Sequence, residues 1–295
     1  MRKALLGFAG IMKVLTGRLK LPVSLSVDVT YRCNLSCKHC YFLKDGYREE
    51  LPVEAFLNKI KKLKKKYNLY SCSWVGGEPL LRKDLIEKGK KLFPFNWIIT
   101  NGTIQLPEWK DCVFFVSVDG TKKYHETIRG KGTYNKIKDN ITSSSNRIFI
   151  ATVLNKINYK SIDEMIQEWS KTNVKGINFD FYTPIYSNDQ LFIPLKKRDK
   201  ILDHILDLKK EYGNFILLSK KIIELMKSYN YKNVVGENCL QRKVTVSLDP
   251  MGRIKKPCVM GNVDCSKCGC IITYAINAAL NKDLETMWLL FSRLR

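Results

Sequence analysis

Short apolar runs alternate with stretches of helical periodicity over the first two thirds of the chain. One such stretch, 52–67, places Phe56, Ile60 and Leu63 at helical spacing with lysines on the opposite side. The runs of strand length are 23–29, 70–75, 96–100, 113–118, 147–154 and 176–182, and further helical patterns cover 82–92, 134–145 and 162–171. Strand–helix units repeated in this way predict a parallel sheet with right-handed crossovers.

Six such units predict an α/β fold, a partial (β/α)6 barrel that resembles an incomplete TIM barrel and is open on one side. In barrels of this kind, the loops that follow the strands form the active face. The unusual residues of this sequence also follow predicted strands, at 31–41, 76–79, 100–102 and 117–120. We therefore expect a functional site at the carboxyl ends of the strands.

The pattern changes after residue 194. Helical patterns at 200–212 and 219–228 precede two short runs, 244–248 and 253–256, whose proline–glycine turn predicts a small β-hairpin. A largely apolar helical stretch, 274–294, follows. The predicted organisation is an N-terminal amphipathic helix over 1–22, a barrel over 23–195 and a small C-terminal cluster-binding extension over 196–295.

The charge of the chain is strongly positive. There are 51 Lys and Arg residues against 28 Asp and Glu residues, which gives a net charge of +23. Such a charge favours anionic partners, namely nucleic acid, phospholipid headgroups or acidic peptides, and does not choose among them. The alternative is that the lysines only solvate helix faces. No run approaches the ~18 apolar residues that a membrane span requires.

The ten cysteines are unevenly spread. Tight groups of cysteines in a chain of this length favour metal sites over a disulfide framework. Because metal-binding thiols must stay reduced, we expect the protein in a reducing compartment. Cys72 and Cys112 lie in predicted strands, where core packing is the simpler interpretation. The first group is Cys33, Cys37 and Cys40, and the second is Cys239, Cys258, Cys265, Cys268 and Cys270.

The first group lies in the segment YRCNLSCKHCY, 31–41, with C-x3-C-x2-C spacing. A loop this short can direct three thiolates at one four-iron cluster, which leaves one iron open for another ligand. The alternative is a structural zinc site with His39 as the fourth ligand. His39 lies between two of the cysteines, where ligation would strain the loop.

This loop and four later segments resemble the signature of the radical S-adenosylmethionine (SAM) superfamily. The segments are GGEP at 76–79, TNG at 100–102, SVDG at 117–120, and a histidine–glutamate and arginine–glycine pair at 125–130. The resemblance covers about 24–184. It implies a [4Fe–4S] cluster on the three cysteines with SAM at the open iron. The implied cofactor-binding residues are Tyr41, Gly76, Gly77, Glu78, Pro79, Asn101, Ser117, Asp119 and Arg129.

The same resemblance suggests individual roles. The paired glycines would let the backbone approach the methionine part of SAM. Glu78 would either accept a hydrogen bond from its ammonium group or organise the loop. Arg129 would pair with either the SAM carboxylate or Glu126, and His125 would order the loop. Tyr41 would contact the adenine. The implied chemistry is reductive cleavage of SAM to a 5′-deoxyadenosyl radical that takes hydrogen from an unactivated C–H bond, with C–C bond formation as one outcome.

The second cysteine group resembles the twitch and SPASM extensions of the same superfamily, which hold auxiliary [4Fe–4S] clusters. Cys239, Gly252 and Cys258 match the cysteine, glycine-containing hairpin and second cysteine with which such extensions begin. Five thiols are one more than a single cluster needs, and we expect one auxiliary cluster whose four ligands include Cys258, Cys265 and Cys268. Zinc is the alternative occupant.

The sequence leaves the substrate open. Apolar segments at both ends and the positive charge favour binding of the protein to the inner face of an anionic membrane. The predicted reaction is then modification or cross-linking of lipid alkyl or isoprenoid chains. The alternative is that both segments cap the barrel, in which case a ribosomal peptide becomes the better substrate. RNA modification is supported by charge alone. A non-catalytic iron–sulfur or zinc scaffold is the remaining alternative. A cytoplasmic enzyme with a small flavodoxin- or ferredoxin-like electron donor is expected.

Overall fold

The strands form one curved sheet. The computed structural model describes residues 21–42, 49–185, 189–261 and 263–292, so the helix predicted over 1–22 lies almost entirely outside them. Within these ranges, seven strands pair in parallel in the order β6-β5-β4-β3-β2-β1-β7. They are β1 (Ser24–Asp28), β2 (Ser71–Val75), β3 (Phe95–Thr100), β4 (Cys112–Ser117), β5 (Arg147–Leu154), β6 (Ile177–Phe181) and β7 (Thr245–Leu248).

Helices cover the outer face of this sheet. Those of the barrel are α1 (Val53–Tyr67), α2 (Lys83–Gly89), α3 (Lys122–Arg129), α4 (Thr133–Thr142) and α5 (Ile162–Trp169). Alternate strand residues such as Leu25, Trp74 and Phe114 are fully buried in the main core, because successive side chains of a strand point to opposite faces. The other face is the inner side of a half-barrel, as the strand–helix alternation predicted.

The C-terminal part adds five further helices to the described structure. These are α6 (Leu195–Tyr212), α7 (Lys220–Met226), α8 (Gln241–Val244), α9 (Ile271–Leu280) and α10 (Leu284–Ser292). The single helix predicted over 274–294 is therefore two helices, and the chain turns between them at Lys282, which has a φ of 62°. Periodicity alone did not show this break because both helices are apolar.

The predicted hairpin is only partly correct. Its turn exists, with the amide of Gly252 donating to the carbonyl of Asp249 over 2.7 Å. Its first arm, however, is β7, which pairs with β1 in register from Ser24 opposite Thr245 to Val27 opposite Leu248. The second arm contributes a single antiparallel bridge. The sheet consequently has seven strands, because the free edge of the hairpin pairs with β1.

The last helix packs near the amino-terminal end of β5, at what we call the floor of the half-barrel. Leu289 of α10 is 1% exposed and packs in a separate cluster with Phe149 of β5 and Leu217. The guanidinium of Arg147, at the start of β5, donates to the carbonyl of Ser292 over 2.5 Å. One apolar side chain of this helix, that of Leu289, is therefore packed inside the protein. Among the described residues, no helix has the length and hydropathy needed to cross a bilayer.

Candidate active site

The loops after β1, β2, β3 and β4 meet at one edge of the sheet, since carboxyl ends of neighbouring parallel strands lie side by side. The loop after β1 carries the first cysteine group. It is joined to the loop after β2 by two backbone hydrogen bonds, from Gly77 to the Thr30 carbonyl over 2.9 Å and from Glu78 to the Arg32 carbonyl over 2.8 Å. The two predicted segments are thus a single unit.

The paired glycines are required by this contact. A Cβ atom on Gly77 would lie 2.1 Å from the carbonyl oxygen of Arg32, and one on Gly76 would lie 2.9 Å from that of Thr30. Gly76 also has a φ of 123°, which disfavours any side chain. The close approach that the structure shows is to the cysteine loop itself, whereas the sequence had suggested an approach to SAM.

Glu78 organises the strand ends. It is fully buried, and its Oε1 accepts from the Leu80 amide over 3.0 Å and from Thr100 Oγ1 over 2.7 Å. Its Oε2 accepts from the Asn101 amide over 2.8 Å. Burial raises the pKa of Glu78, and these donors oppose the rise. Of its two predicted roles, the geometry supports the organising one. The next residue, Pro79, begins the short 3-10 helix Pro79–Arg82.

Asn101 connects the third strand to the cysteine loop. Its Nδ2 donates to Asn34 Oδ1 over 2.9 Å and lies 3.9 Å from Cys33 Sγ. Its Oδ1 accepts from the amide and hydroxyl of Thr103. The side chain is therefore fully engaged in holding the first cysteine in place.

A buried charge cluster lies behind the second cysteine. Arg129 Nε donates to Asp119 Oδ2 over 2.6 Å, and Arg129 Nη1 lies 3.9 Å from Cys37 Sγ. The Nε2 of His39 lies 3.2 Å from the same Asp119 oxygen. The alternative pairing of Arg129 with Glu126 is wrong, because Glu126 instead accepts from the backbone amide of Gly132 over 3.0 Å.

The charge states in this cluster follow from its contacts. Burial alone would raise the pKa of Asp119, but Arg129 and His39 hold it well below its usual range. Burial and the Arg129 charge lower the pKa of His125 to about 3. The Nδ1 of neutral His125 then accepts a hydrogen bond from the Asp119 amide over 3.1 Å. This contact agrees with the loop-ordering role that the sequence suggested.

The three thiols have surroundings that suit an iron–sulfur cluster. Each sulfur has a nitrogen donor nearby: Asn101 at Cys33, Arg129 at Cys37, and the Phe42 amide 3.4 Å from Cys40 Sγ. Hydrogen bonds to sulfur stabilise ligated thiolates and help to set cluster potentials. Without a metal, burial raises the pKa of Cys37 to about 11. A metal ion offsets this effect by stabilising the thiolate directly.

Within the described ranges, no group of three or more Cys, His, Asp or Glu side chains converges on the position of one metal ion. A four-iron cluster takes each thiolate at a separate iron, so its ligands need not converge in that way.

Tyr41 and Ser117 lie at the rim of this region. The ring of Tyr41 meets that of Phe42 edge-on, with centroids 6.2 Å apart. Lys255 Nζ lies 5.8 Å from the Tyr41 centroid and 2.5 Å from Asp28 Oδ2, so the tyrosine adjoins an ion pair. Ser117 ends β4 on the inner face and is partly exposed.

The second cysteine group forms a site of its own. All five of its members, Cys239, Cys258, Cys265, Cys268 and Cys270, line one cavity together with Arg242, Pro257 and Met260. The structure thus brings together residues that are up to 31 positions apart in the sequence.

The second site is attached to the carboxyl end of β6. The Phe181 amide donates to the Gly269 carbonyl over 2.9 Å, and the Gly269 amide donates to Thr183 Oγ1 over 2.8 Å. A Cβ atom on Gly269 would lie 1.8 Å from the Phe181 carbonyl oxygen. The glycine between Cys268 and Cys270 therefore allows the cysteine loop to reach the same edge of the sheet as the first site.

Several residues around these sites carry no motif that would have identified them from the sequence. Arg198 of α6 is 1% exposed and donates to the carbonyls of Tyr182 and Cys268. A signal was present, since Arg198 lies three residues before buried Ile201, in register with the apolar face of its helix. Asp28 and Lys255 were missed too. The signal for Asp28 was an acid on the inner face of a predicted strand.

Comparison with known proteins gives one family. The model of the radical SAM superfamily matches residues 27–169. The sporulation killing factor maturation protein SkfB of Bacillus subtilis is 26% identical over 50% of this chain and 40% of SkfB. The antilisterial bacteriocin subtilosin biosynthesis protein AlbA of the same organism is 21% identical over 81% of this chain and 55% of AlbA. A probable GTP 3′,8-cyclase of Sulfurisphaera tokodaii is 24% identical over 70% of this chain and 72% of the cyclase. The chain thus spans less than two thirds of SkfB and of AlbA.

The fold is also similar to solved structures. SuiB of Streptococcus suis, bound to its precursor peptide SuiA, matches with a TM-score of 0.66 and 15% identity, over 94% of this chain and 69% of SuiB. The family match covers the cysteine loop and the strand ends that the geometry joins into one site. Taken together, these observations show that residues 27–169 form a domain of the radical SAM superfamily, whose members use a [4Fe–4S] cluster and S-adenosylmethionine.

Proposed function

We propose that this radical SAM enzyme modifies a ribosomally made peptide by removing a hydrogen atom from one of its unactivated C–H bonds. The observation that carries the proposal is that SkfB and AlbA, two relatives found by sequence, are named for the maturation of a sporulation killing factor and for the biosynthesis of the antilisterial bacteriocin subtilosin. SuiB, which shares the fold, was solved with its precursor peptide. A peptide substrate therefore replaces lipid as the preferred hypothesis.

The lipid hypothesis loses part of its support. It rested on positive charge and on apolar segments at both ends, and the C-terminal one packs through Leu289 against the floor of the half-barrel. Trp288 remains 49% exposed and Leu284 78% exposed. Lipid extracts are accordingly one arm of the test below.

The residues at the strand ends bind and orient the cofactors. When bound, the cluster and SAM supply an electron and a 5′-deoxyadenosyl radical. Cys33, Cys37 and Cys40 would hold the cluster. Tyr41, Gly76, Gly77, Glu78, Pro79, Asn101, Ser117, Asp119 and Arg129 remain our proposed SAM site, within which Glu78, Asn101, Asp119 and Arg129 act by fixing the loops.

The inner face of the half-barrel would receive the substrate. On β2, β3 and β4 this face carries partly exposed side chains of mixed character, such as Ser73, Trp97 and Ser117. Hydroxyl and aromatic contacts of this kind suit an extended peptide, whose backbone needs hydrogen bonds and whose side chains need apolar surface. A substrate seated here would also exclude water from the radical.

The second site would hold one auxiliary [4Fe–4S] cluster on Cys239, Cys258, Cys265 and Cys268. Cys270 differs from these four because it precedes the first turn of α9, where Asp180 of β6 accepts the next amide, that of Ile271, over 2.8 Å. Four thiolates leave no iron open, which suits electron transfer more than substrate binding. A small flavodoxin- or ferredoxin-like protein would supply electrons in the cytoplasm.

The test is an anaerobic assay with the reconstituted protein, SAM and a chemical reductant. The substrates are short peptides encoded beside the gene, GTP, and a total lipid extract, each supplied separately. We expect 5′-deoxyadenosine to increase with one peptide, and that peptide to change mass, while the Cys37→Ala variant is inactive. Turnover with GTP or lipid alone, and none with any peptide, would overturn the proposal.

A further inference from the structure

Arg198 is the most deeply buried arginine or lysine of the described residues, with 1% exposure. Its guanidinium donates to four backbone carbonyl oxygens. Nε donates to Ile193 over 2.9 Å, Nη2 to Tyr182 over 3.0 Å and to Lys267 over 3.4 Å, and Nη1 to Cys268 over 3.4 Å. Arg198 therefore ties the second cysteine loop to the end of β6.

Aromatic rings complete this environment. The guanidinium carbon lies 4.9 Å from the centroid of Phe181 and 4.7 Å from that of Phe192. Ring faces and carbonyl dipoles attract a cation, but neither carries a full negative charge. A buried charge is strongly unfavourable unless an opposite charge accompanies it.

The other buried arginines and lysines of the described residues all have such a partner. Arg82 lies 3.6 Å from Glu50, and Arg129 lies 2.6 Å from Asp119. Lys209 lies 3.1 Å from Glu285 and Lys227 lies 2.5 Å from Asp203. Among the buried Arg and Lys side chains in the described ranges, Arg198 alone forms no ion pair with a carboxylate.

The missing negative charge is explained by the neighbouring cavity. Arg198 binds the carbonyl of Cys268, and the hydroxyl of Tyr231 donates to the same oxygen over 2.5 Å. Cys268 is also one of the residues that line the five-cysteine cavity. A [4Fe–4S] cluster with four thiolates is anionic in both of its common oxidation states.

We infer that Arg198 is the counter-cation of the auxiliary cluster and raises its reduction potential. The inference rests on the auxiliary cluster of the proposed function and holds whatever the substrate is. Reduction adds an electron to an already anionic group, and a buried positive charge beside it favours that addition. Arg198 is a positioning and tuning residue, because it acts on the cluster through the field and through the Cys268 loop.

The role of Arg198 should differ in the protein without iron. In the apoprotein the cavity holds no anion, so Arg198 is a buried charge without compensation. Replacing it with an apolar side chain of similar length should then be tolerated. In the loaded protein, the same replacement leaves the cluster without its counter-charge.

The experiment is a redox titration of the whole reconstituted chain, in which electron paramagnetic resonance monitors the reduction of the auxiliary cluster and gives its reduction potential. Arg198→Met should lower its potential, Arg198→Lys should keep it near that of the unmodified protein, and the control Lys196→Gln, an exposed lysine of the same helix, should not move it. Chemical unfolding should show a larger loss of stability for Arg198→Met in the loaded protein than in the apoprotein.

Two results would overturn the inference. One is an unchanged potential in Arg198→Met, and the other is failure of that variant to fold even as apoprotein, which would make Arg198 purely structural. Iron analysis separates this from failure of the proposed function. About eight irons per chain indicate two clusters, whereas about four indicate that no auxiliary cluster forms.

Discussion

Arg129 Nε donates to the buried Asp119 carboxylate over 2.6 Å, while the other side of the same guanidinium lies 3.9 Å from Cys37 Sγ. One side chain thus links the end of β4 to the cluster-binding loop. Cys37 lies 92 positions from Arg129 in the sequence. Their contact explains why a strand-end aspartate and a helix-end arginine accompany the cysteine motif.

Replacement of Asp119 by asparagine should be strongly destabilising. The change leaves Arg129 buried without its ion-pair partner, and breaking a buried pair in this way costs about 3–5 kcal/mol. Urea unfolding of the apoprotein measures the loss, and 5′-deoxyadenosine formation should fall with it. Arg129→Lys, which keeps the charge, should lose less stability than Asp119→Asn. Equal stability of Asp119→Asn and the unmodified protein would contradict the finding.

Gly77→Ala should prevent the two loops from joining. The added Cβ would lie 2.1 Å from the Arg32 carbonyl, and overpacking of this kind typically costs about 1–3 kcal/mol. We expect reduced iron binding at the first site, measured from the iron-to-protein ratio. Gly132→Ala is the control, because nothing lies within 4 Å of the position that its new methyl group would take, and only its φ of 76° opposes the change. Comparable losses in both variants would show that crowding at Arg32 is unimportant.

Asp28 should make stability depend on pH. Burial raises its pKa to about 6, although Lys255 opposes the rise, and Asp249 and Tyr41 are the other ionisable groups close to it. The folded protein then holds this proton more tightly than the unfolded chain does. Stability should therefore fall as pH rises from about 4 to about 6, by on the order of 3 kcal/mol.

Asp28→Asn should remove that part of the pH dependence in the apoprotein, measured as the urea midpoint across the interval. The exposed Asp139→Asn serves as the control and should leave the profile unchanged. Parallel profiles for Asp28→Asn and the unmodified protein would show that Asp28 is ionised throughout.

The five-cysteine cavity can be resolved by single substitutions. Cys239→Ala, Cys258→Ala, Cys265→Ala and Cys268→Ala should each abolish or deplete the auxiliary cluster, whereas Cys270→Ala should retain it. Iron content and the resonance signal of the reduced cluster report the result. Loss of the cluster in Cys270→Ala with retention in one of the other four would reassign the ligands. Cys72→Ala, at a buried core position, should retain both clusters.

The role of α10 can be tested by comparing two adjacent residues. Leu289→Ala empties a buried position on the barrel floor and should cost about 2–5 kcal/mol, while Trp288→Ala, half-exposed, should cost much less. Flotation with anionic liposomes provides the second measurement. Loss of liposome binding in Trp288→Ala at unchanged stability would favour a membrane-facing surface over a simple cap.

Much of the fold followed from the sequence because strand–helix alternation leaves few topologies. Six strands and the residues at their ends were predicted, and the match between motif order and strand order placed the cysteine loop correctly. The seventh strand was not predicted as part of the sheet. A short apolar run such as 245–248 indicates a strand, but its pairing with β1 depends on the rest of the fold.

The sequence named candidate residues for the site but did not give the contacts between them. The sequence named Glu78, Asp119 and Arg129, but their partners are set by contacts between distant segments. Arg198 illustrates the same limit. It belongs to no motif, and its significance comes from burial and from the carbonyls around it. Sequence patterns record which groups are present, whereas desolvation and pairing are properties of the folded chain.

The pairing of β7 with β1 has a consequence for how the protein can be divided. Residues 245–248 complete the edge of the sheet next to the strand that leads into Cys33. A fragment ending at residue 195 would leave the backbone amides and carbonyls of β1 open to solvent, and exposed strand edges invite intermolecular pairing. Such a fragment would be expected to aggregate, so the two cysteine groups are best produced and studied as one polypeptide.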